Sequence, residues 1–318
     1  MATASPDPNN RLIGERLIGD AEYLGGKLLS GRRHIEHMLA RYTVSNRWAF
    51  IRRFQIDHLS AGRALLARIL WLQGFSDQAT RIAETSIEDA RETGHVATTC
   101  YVLALAACPI ALWAGDLGAA DQYITMLLDV SKRHALALWE GWGRYYQGVL
   151  LINQGDSTSG SGLLHAGIKV LGSARFAVRF ITFHGYTVLA LGRAGQIAAG
   201  LAEADESVSQ FGQTEEKWLI ADSLRSKGEL LLLQAGPGAE RAAEDLFREA
   251  LKLARRPGAL SLELRAAASL ARLLQRQSRP ADAAAVLQPV YDRVTEGFGT
   301  SDLKHAKQLL DELNAAPG

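Results

Sequence analysis

The sequence predicts an all-α solenoid in which antiparallel helix hairpins stack side by side. One turn pattern recurs six times: an apolar helix end, a glycine, a few polar residues, and a small residue that opens the next helix. The small residues lie at positions 79, 120, 160, 200, 243 and 283, in steps of 41, 40, 40, 43 and 40. Because one hairpin cannot bury its apolar faces alone, units repeating at this interval are expected to pack into one continuous core.

Two residue types explain each turn. A glycine adopts the left-handed conformation that ends a helix, and a small residue early in the next helix lets the two helices approach closely. Extra residues after the fifth turn glycine account for the long step of 43, and a serine replaces the glycine in the sixth turn. The turn positions are Gly74, Gly115, Gly155, Gly195, Gly236 and Ser278.

The N-terminal part does not show this pattern. Residues 1–10 are polar, include two prolines and are predicted to be a disordered tail. Residues 11–58 are predicted to hold an irregular hairpin, with its turn at Gly25–Gly26, followed from residue 42 by a connector that is extended in part.

Six repeats are then expected over residues 59–295, and residues 296–318 are expected to hold a capping helix and a tail. The capping helix is predicted from Asp302 to Leu313, because its apolar residues fall on one helical face that shields the last repeat. These residues are Leu303, Ala306, Leu309, Leu310 and Leu313.

Charge and hydropathy indicate which surroundings and partners to expect. The chain has 35 basic and 34 acidic residues among 318, and it lacks a basic stripe, so no direct nucleic-acid partner is expected. No membrane partner is expected either, because no stretch reaches the 18 uninterrupted apolar residues of a membrane span. Cys100 and Cys108 lie about 12 Å apart along one predicted helix, too far for a disulfide. The sequence therefore predicts a soluble cytoplasmic protein.

Three stretches carry a known repeat signature. They are Leu66-Ala67-x-x-Leu70-x-x-x-Gly74-x-x-x-x-Ala79-x-x-x-Ala83, Gly228-Glu-Leu-Leu231 with Ala243-x-x-x-Phe247-x-x-Ala250, and Leu270-Ala271-x-x-Leu274 with Ala283-x-x-x-Leu287. This spacing resembles the tetratricopeptide repeat, which implies a right-handed superhelix. The period of about 40 instead of about 34 residues implies longer helices and altered curvature. Repeats three and four also have glycines at 160 and 200, where alanine is usual in that family.

A narrower resemblance covers nearly the whole chain. It is carried by Arg53–Asp57, Ala67–Ala79, Ala107–Leu117, Lys227–Ala235 and Glu296–Leu303. These segments resemble the tetratricopeptide carboxy-terminal region of bacterial predicted ATPases of the signal-transduction class. In that family a winged-helix DNA-binding domain or a nucleotide-cyclase domain precedes the ATPase. The resemblance implies that ATPase and effector domains occur in a full-length relative, whereas this chain resembles an excised sensor region or a stand-alone relative.

The sequence lacks recognisable catalytic or metal-binding motifs. Gly25-Gly26-Lys27 departs from a phosphate-binding loop at its first glycine and after its lysine, so an inter-helix turn is favoured. His34 and His37 share a helix face, but nothing nearby completes a metal site. No Gly-x-Ser-x-Gly elbow occurs, although a triad assembled across the fold stays open. We therefore expect a protein that is not an enzyme and that uses no cofactor or metal.

A binding surface is expected on the concave face, which the first helices of successive hairpins line in this architecture. Projection of the repeat register places the following side chains there: Arg68, Trp71, Trp113, Trp142, Tyr145, Asn153, Asp222, Arg225, Glu229, Arg265 and Arg272. The aromatic segment 139–146 could stack a flat or sugar-like ligand, or it could pack between repeats. Arg225, Glu229 and Arg265 could clamp a carboxylate or phosphate, or Arg225 and Glu229 could form a salt bridge within one helix.

The function expected is that of a non-catalytic sensor or regulatory module of a bacterial signal-transduction ATPase or transcriptional regulator. Its partner would be a protein or a small-molecule effector in the concave groove. The alternative is a free-standing scaffold that holds a peptide or helix in that groove. A closed pocket would favour the first function, and an open channel across several repeats would favour the second.

Overall fold

A computed structural model describes residues 8–42, 47–173, 184–211 and 220–315 of the chain, and the regular elements in these ranges are all helical. The all-α solenoid of tetratricopeptide-like hairpins is therefore confirmed. Most of the predicted tail at 1–10 lies outside the described residues, but residues 8–10 already belong to the first helix. The helices are α1 (Pro8–Leu24), α2 (Leu28–Arg41), α3 (Arg47–Phe54), α4 (His58–Leu72), α5 (Ser76–Thr93), α6 (Val96–Val102), α7 (Cys108–Ala114), α8 (Leu117–Arg133), α9 (Ala137–Asn153), α10 (Ser157–Ser173), α11 (His184–Arg193), α12 (Ile197–Phe211), α13 (Ala221–Gln234), α14 (Ala239–Arg255), α15 (Leu260–Arg276), α16 (Pro280–Tyr291) and α17 (Ser301–Ala315).

The predicted turns close the hairpins α4–α5, α7–α8, α9–α10, α11–α12, α13–α14 and α15–α16. At the first turn Gly74 has φ 90°, and the amide of Phe75 donates to the carbonyl of Leu70 at 2.9 Å. This bond spans the end of the helix as in a Schellman motif. The fifth turn differs from the prediction, because Ala235 (φ 52°) and Gly238 (φ 74°) take the left-handed positions instead of Gly236. The insertion lengthens that turn, and its first left-handed residue is Ala235, one position before the expected glycine.

Close helix crossings explain the glycines at 160 and 200. A Cβ on Gly160 would lie 2.8 Å from the carbonyl oxygen of Gly148, and one on Gly200 would lie 3.0 Å from that of Val188. At equivalent positions of other repeats the residue is alanine, and Ala79, for example, is fully buried. The two glycine-bearing repeats therefore bring their paired helices closer together than an alanine permits.

The N-terminal hairpin α1–α2 has the same construction as a repeat. A Cβ on Gly31 would lie 3.1 Å from the carbonyl oxygen of Gly19, as in the Gly148–Gly160 crossing. Gly31 precedes Ala79 by 48 positions, which is one period plus the eight residues of α3. The predicted connector thus contains a short inserted helix, and this insertion hides the extra repeat from a search for even spacing.

The first helix of the second repeat is continuous from Val96 to Ala114, with a π-helical turn at Leu103–Ala107 between α6 and α7. Pro109 lacks a backbone N–H, and π-turns are a common adjustment of a helix near such a position. The hydroxyl of Tyr146 donates to the carbonyl of Ala104 at 2.5 Å. This helix is long and apolar enough to cross a membrane by length and composition, but 78% of its apolar window is buried among other helices. It is packed as a core helix.

The last repeat returns to the first. The hydroxyl of Ser261 in α15 donates to the carbonyl of Trp71 at 2.5 Å, across 190 residues of sequence. The carboxylate of Glu296 accepts from the backbone N–H and the side-chain amide of Gln78, both at 2.9 Å. The repeat array therefore closes on itself, with α15 and the segment before α17 lying against α4 and α5.

Turn glycines make room for this closure. A Cβ on Gly74 would lie 2.9 Å from Cδ2 of Leu260, and one on Gly115 would lie 2.5 Å from Cβ of Ser301. The equivalent positions Gly155 and Gly195 have open space around them. The glycines of the first two turns thus serve both to end a helix and to admit the returning chain.

Candidate ligand cavity

A cavity of about 360 Å³ lies inside the closed array. Its wall is formed by the first helices of repeats two to six, namely α7, α9, α11, α13 and α15, and by the first turns of α17. The lining residues are Leu112, Trp113, Gly115, Leu117, Val149, Asn153, Leu189, Ala190, Arg193, Arg225, Leu264, Arg265, Ala268, Arg272, Ser301, Asp302 and His305. The cavity thus lies between the middle repeats and the returning C-terminal part of the chain, and it is partly open to solvent.

The period of about 40 residues brings polar side chains of neighbouring repeats together here. Nη1 of Arg193 donates to Oδ1 of Asn153, which lies 40 positions earlier at the end of the preceding first helix. Ser269 donates to Glu229 at 2.6 Å, again across 40 positions. Since equivalent positions of parallel helices lie side by side in a solenoid, a polar side chain in one repeat meets its counterpart in the next.

The inner end of the cavity holds a buried ion-pair network. Nε of Arg225 donates to Asp222 at 2.7 Å, and Nε of Arg265 donates to Asp302 at 2.7 Å. Nη1 of Arg265 also lies 3.9 Å from the carboxylate of Asp222. Burial raises the pKa of Asp222, but the charges of Arg225 and Arg265 outweigh that effect and hold its pKa below the usual value. Asp222 is therefore an ionised carboxylate that fixes two arginines.

The outer rim of the cavity is more exposed. The side chain of Arg272 is 48% exposed and lies 3.4 Å from Glu229. Arg193 is also exposed, and its contact with Asn153 is to a neutral amide. The cavity therefore has a buried end at which arginines are paired with aspartates, and a rim at which arginines reach solvent.

The structure brings part of the predicted concave surface together and separates the rest. Trp113, Asn153, Arg225, Arg265 and Arg272 line the cavity. Two further predicted residues, Asp222 and Glu229, do not line the cavity themselves but form ion pairs with its arginines. The alternative of an Arg225–Glu229 pair within one helix does not occur, because Arg225 binds Asp222 and Glu229 binds Arg272.

Four predicted residues lie away from this cavity. The guanidinium of Arg68 lies 5.2 Å from the centroid of the Tyr23 ring, under the N-terminal hairpin. Trp71 is covered by α15. The ring of Trp142 stacks on Tyr146 at 5.6 Å between centroids, and the hydroxyl of Tyr145 bonds to Thr187 at 3.0 Å. All four are buried. The aromatic segment therefore packs between repeats.

Other cavity residues were not predicted. Arg193, Asp302 and His305 line the cavity, yet Arg193 lies at the very end of its helix and the other two belong to the capping segment. The segment Glu296–Leu303, which carried part of the family resemblance, contains the sequence signal for the cavity residues of the capping segment. It holds Glu296, which accepts from Gln78, and Asp302, which binds Arg265.

The side chains that line the cavity offer charge and hydrogen bonds to a ligand. Among the described residues, no group of three or more histidine, cysteine, aspartate or glutamate side chains could hold a metal ion. Both cysteines are buried, and burial raises the pKa of Cys100 to about 12. The polar side chains that line the cavity are four arginines, the amide of Asn153, the hydroxyl of Ser301, the carboxylate of Asp302 and the ring of His305. Because the arginines outnumber the one lining carboxylate, the cavity suits recognition of an anion.

Comparison with known proteins gives solved tetratricopeptide structures at low sequence identity. No family model matches the chain, and no curated protein matches it. A tetratricopeptide repeat protein from Parabacteroides merdae ATCC 43184 is 13% identical with a TM-score of 0.48, covering 95% of this chain and 98% of that chain. The tetratricopeptide domain of P58(IPK) is 15% identical with a TM-score of 0.24, covering 95% of this chain and 90% of that one.

Proposed function

We propose that the chain is a non-catalytic regulatory module that binds a small-molecule effector in the cavity of its closed repeat array. The observation that carries the proposal is the position of the cavity across the closure. Residues of α7, α9 and α11 line one side, and residues of α15 and α17 line the other. A ligand that contacts both sides binds the closed form better than an opened form, so its binding energy is added to the closure.

Several polar contacts hold the closure, beside the apolar contact of Leu260 with Gly74. The closure rests on contacts such as Ser261 with Trp71 and Glu296 with Gln78, and on the Arg265 contact with the carbonyl of Trp113 at 3.2 Å. Polar contacts of this kind contribute about 1 kcal/mol each. A ligand with a few kcal/mol of preference for the closed form would therefore shift the population strongly.

The proposed setting is a bacterial signal-transduction ATPase or transcriptional regulator, as the sequence resemblance implies. In that setting the closed and opened forms of the array present different surfaces to attached or associated effector domains. The effector in the cavity would act on those domains by changing the population of the two forms.

The scaffold alternative requires an opened array. A peptide or helix lying along the groove would contact the wall of the first two repeats, where Trp71 and Trp113 are buried. In the closed array α15 covers part of this wall, with Arg265 over the ring of Trp71. A protein partner in the groove would have to displace α15, and for this reason we favour the enclosed ligand.

The proposal is tested by filling the cavity. Ala268 lines the cavity and is half-buried, so Ala268→Trp places an indole in the ligand space. Ala242→Trp on the exposed face of α14 is the matched control. A thermal-shift screen of small metabolites is expected to find compounds that stabilise the wild type and the control but not Ala268→Trp. Compounds that stabilise all three proteins equally bind elsewhere and count against the cavity.

A further inference from the structure

We infer that the cavity takes an amphipathic organic acid, with its carboxylate at the rim arginines Arg193 and Arg272 and its apolar body directed inward. This inference rests on the proposed function, because it names the class of effector for the same cavity. It follows from three properties of the lining, namely its charge, its available hydrogen-bond donors and its apolar surface.

The charge of the cavity favours one negative charge on the ligand. Four arginines line it, Arg193, Arg225, Arg265 and Arg272, and they face one lining carboxylate, Asp302. Asp222 and Glu229 pair with these arginines from outside the lining. The seven side chains together carry an excess of one positive charge, which a single carboxylate neutralises.

The two rim arginines, Arg193 and Arg272, keep N–H donors that a ligand can use. Arg193 has no carboxylate within ion-pair distance among the described residues, and its contact uses Nη1 toward the amide oxygen of Asn153. Arg272 contacts Glu229 through Nη2 alone. An arginine carries five N–H donors, so both side chains keep donors in the planar arrangement that binds a carboxylate in two-point fashion.

A further donor lies deeper in the cavity. Arg225 is 7% exposed and bonds Asp222 and Ser226 through Nε and Nη2. Its Nη1 has no acceptor among the described residues, and its side chain lines the cavity. A buried guanidinium edge facing the ligand space favours a ligand with a second acceptor, such as a hydroxyl or carbonyl, beyond its carboxylate.

Part of the lining is apolar, which favours a ligand with an apolar body over a fully polar anion. Trp113, Val149, Leu189 and Leu264 are apolar residues that line the cavity. A volume of about 360 Å³ lies in the range of about 300–1,000 Å³ that is typical of small-molecule sites. Inorganic phosphate or a sugar phosphate would leave this apolar surface uncovered, whereas an aliphatic or aromatic carboxylic acid covers it.

The same chemistry could come from two sources, a free organic acid or the carboxy-terminus of a protein that ends in apolar residues. Isothermal titration calorimetry on the full chain distinguishes them with matched probes. The free acids are octanoate and 4-phenylbutyrate, each paired with its neutral amide. The protein source is represented by a peptide ending in Ala-Leu-Phe with a free carboxylate and by the same peptide amidated at that end. Inorganic phosphate and glucose 6-phosphate serve as polar anions.

The expected result is saturable one-site binding of a carboxylate probe, with its amide at least about tenfold weaker because a charge-assisted hydrogen bond is lost. Arg193→Gln and Arg272→Gln are each expected to weaken the acid by about tenfold or more. Arg248→Gln is the control, because Arg248 lies on α14 and pairs with Glu244. All three positions are exposed, so equal urea midpoints are expected and show that the variants fold. Binding of the free acids but not the peptide identifies a metabolite, and the reverse identifies a protein tail.

The inference is overturned if no carboxylate probe binds, if acid and amide bind equally, if both polar anions bind more tightly than the acids, or if the rim variants bind the acids as the wild type does. The proposed function stands in these cases as long as Ala268→Trp still abolishes stabilisation by some other compound. It fails together with the inference only if filling the cavity changes no binding at all.

Discussion

The guanidinium of Arg265 lies over the ring of Trp71, 4.7 Å from its centroid. Trp71 belongs to the first and Arg265 to the sixth of the evenly spaced repeats, so this cation–π contact joins the two ends of that array. Arg265 also bonds the carboxylate of Asp302 at 2.7 Å, which ties the capping helix to the same point. The inner wall of a solenoid, which is open in an extended array, is here covered by the array's own last repeat.

Removing the charge of Asp222 is expected to weaken the inner end of the cavity. Asp222→Asn leaves the buried side chain of Arg225 without its ion-pair partner and removes one partner of Arg265, which should lower the free energy of unfolding by about 3–5 kcal/mol. Asp282→Asn, on the exposed N-terminal turn of α16, is the control and should change it by less than about 1 kcal/mol. Urea unfolding measures both, and equal small effects would contradict the buried network.

The pKa of Asp222 also predicts an acid-sensitive contribution. Because the folded-state pKa lies below the unfolded value of about 3.9, the stabilisation is present above that pH and is lost as the pH falls through the folded pKa. The unfolding free energy of the wild type should therefore drop more steeply below about pH 4 than that of Asp222→Asn. Parallel curves for the two proteins would show that Asp222 is not stabilised as an anion.

His58 predicts a second pH dependence in a milder range. Burial and the neighbouring charge of Arg16 lower its pKa to about 4, and Nε of Arg16 donates to Nδ1 of the neutral ring at 3.0 Å. The unfolded chain takes up a proton near pH 6.5, so stability is lost as the pH falls from about 6.5 to about 4. At pH 5 the loss should be about 2 kcal/mol relative to pH 7.5.

The variant His58→Gln isolates this effect. Glutamine keeps an acceptor for Arg16 but cannot take up the proton, so its urea midpoint should depend less on pH between 7.5 and 5 than that of the wild type. His165→Gln, at an exposed position of α10, should keep the wild-type slope. A steep slope that survives in His58→Gln would assign the pH dependence to other groups.

Two glycines of the third repeat predict opposite outcomes of the same substitution. A Cβ on Gly148 would lie 2.5 Å from the backbone nitrogen of Leu164, whereas nothing lies within 4 Å of one on Gly162. Gly148→Ala should therefore destabilise the fold by about 1–3 kcal/mol through overpacking. Gly162→Ala should be neutral or stabilising by up to about 1 kcal/mol, because alanine favours the helix. Thermal unfolding measures both, and a loss of stability in Gly162→Ala would contradict this packing.

The hydroxyl of Tyr146 is expected to be important for stability because it serves the π-helical turn. Tyr146→Phe leaves the carbonyl of Ala104 without its side-chain donor in the core and should lower the unfolding free energy by about 1–3 kcal/mol. Tyr123→Phe, at a half-buried position of α8, is the matched control. Equal stability of the two variants in urea would show that the carbonyl has another donor.

Much of the fold follows from local sequence rules, and much of the site does not. The turn glycine, as at Gly74, and the buried small residue, as at Ala79, recur along the chain because these residue types determine the local helix geometry. The hairpins could therefore be predicted from the sequence. A hairpin with its turn at Gly25–Gly26 was predicted in the N-terminal part, but its likeness to a repeat was not, because the eight residues of α3 break the even spacing between Gly31 and Ala79. Closure depends on small rotations summed over all repeats, which no single motif encodes. For the same reason the register placed Trp71 and Trp142 on a free wall, although closure and packing bury them.

The central claim is that the array closes on itself around the cavity, and a double-mutant cycle between Gln78 and Glu296 tests it most directly. These side chains are 218 positions apart in sequence and are joined at 2.9 Å only if α5 and the segment before α17 are in contact. Unfolding free energies of Gln78→Ala, Glu296→Ala and the double variant should give a coupling energy of about 0.5–3 kcal/mol. A coupling energy of zero within error, with both single variants folded, would mean that the two ends of the array do not meet in solution.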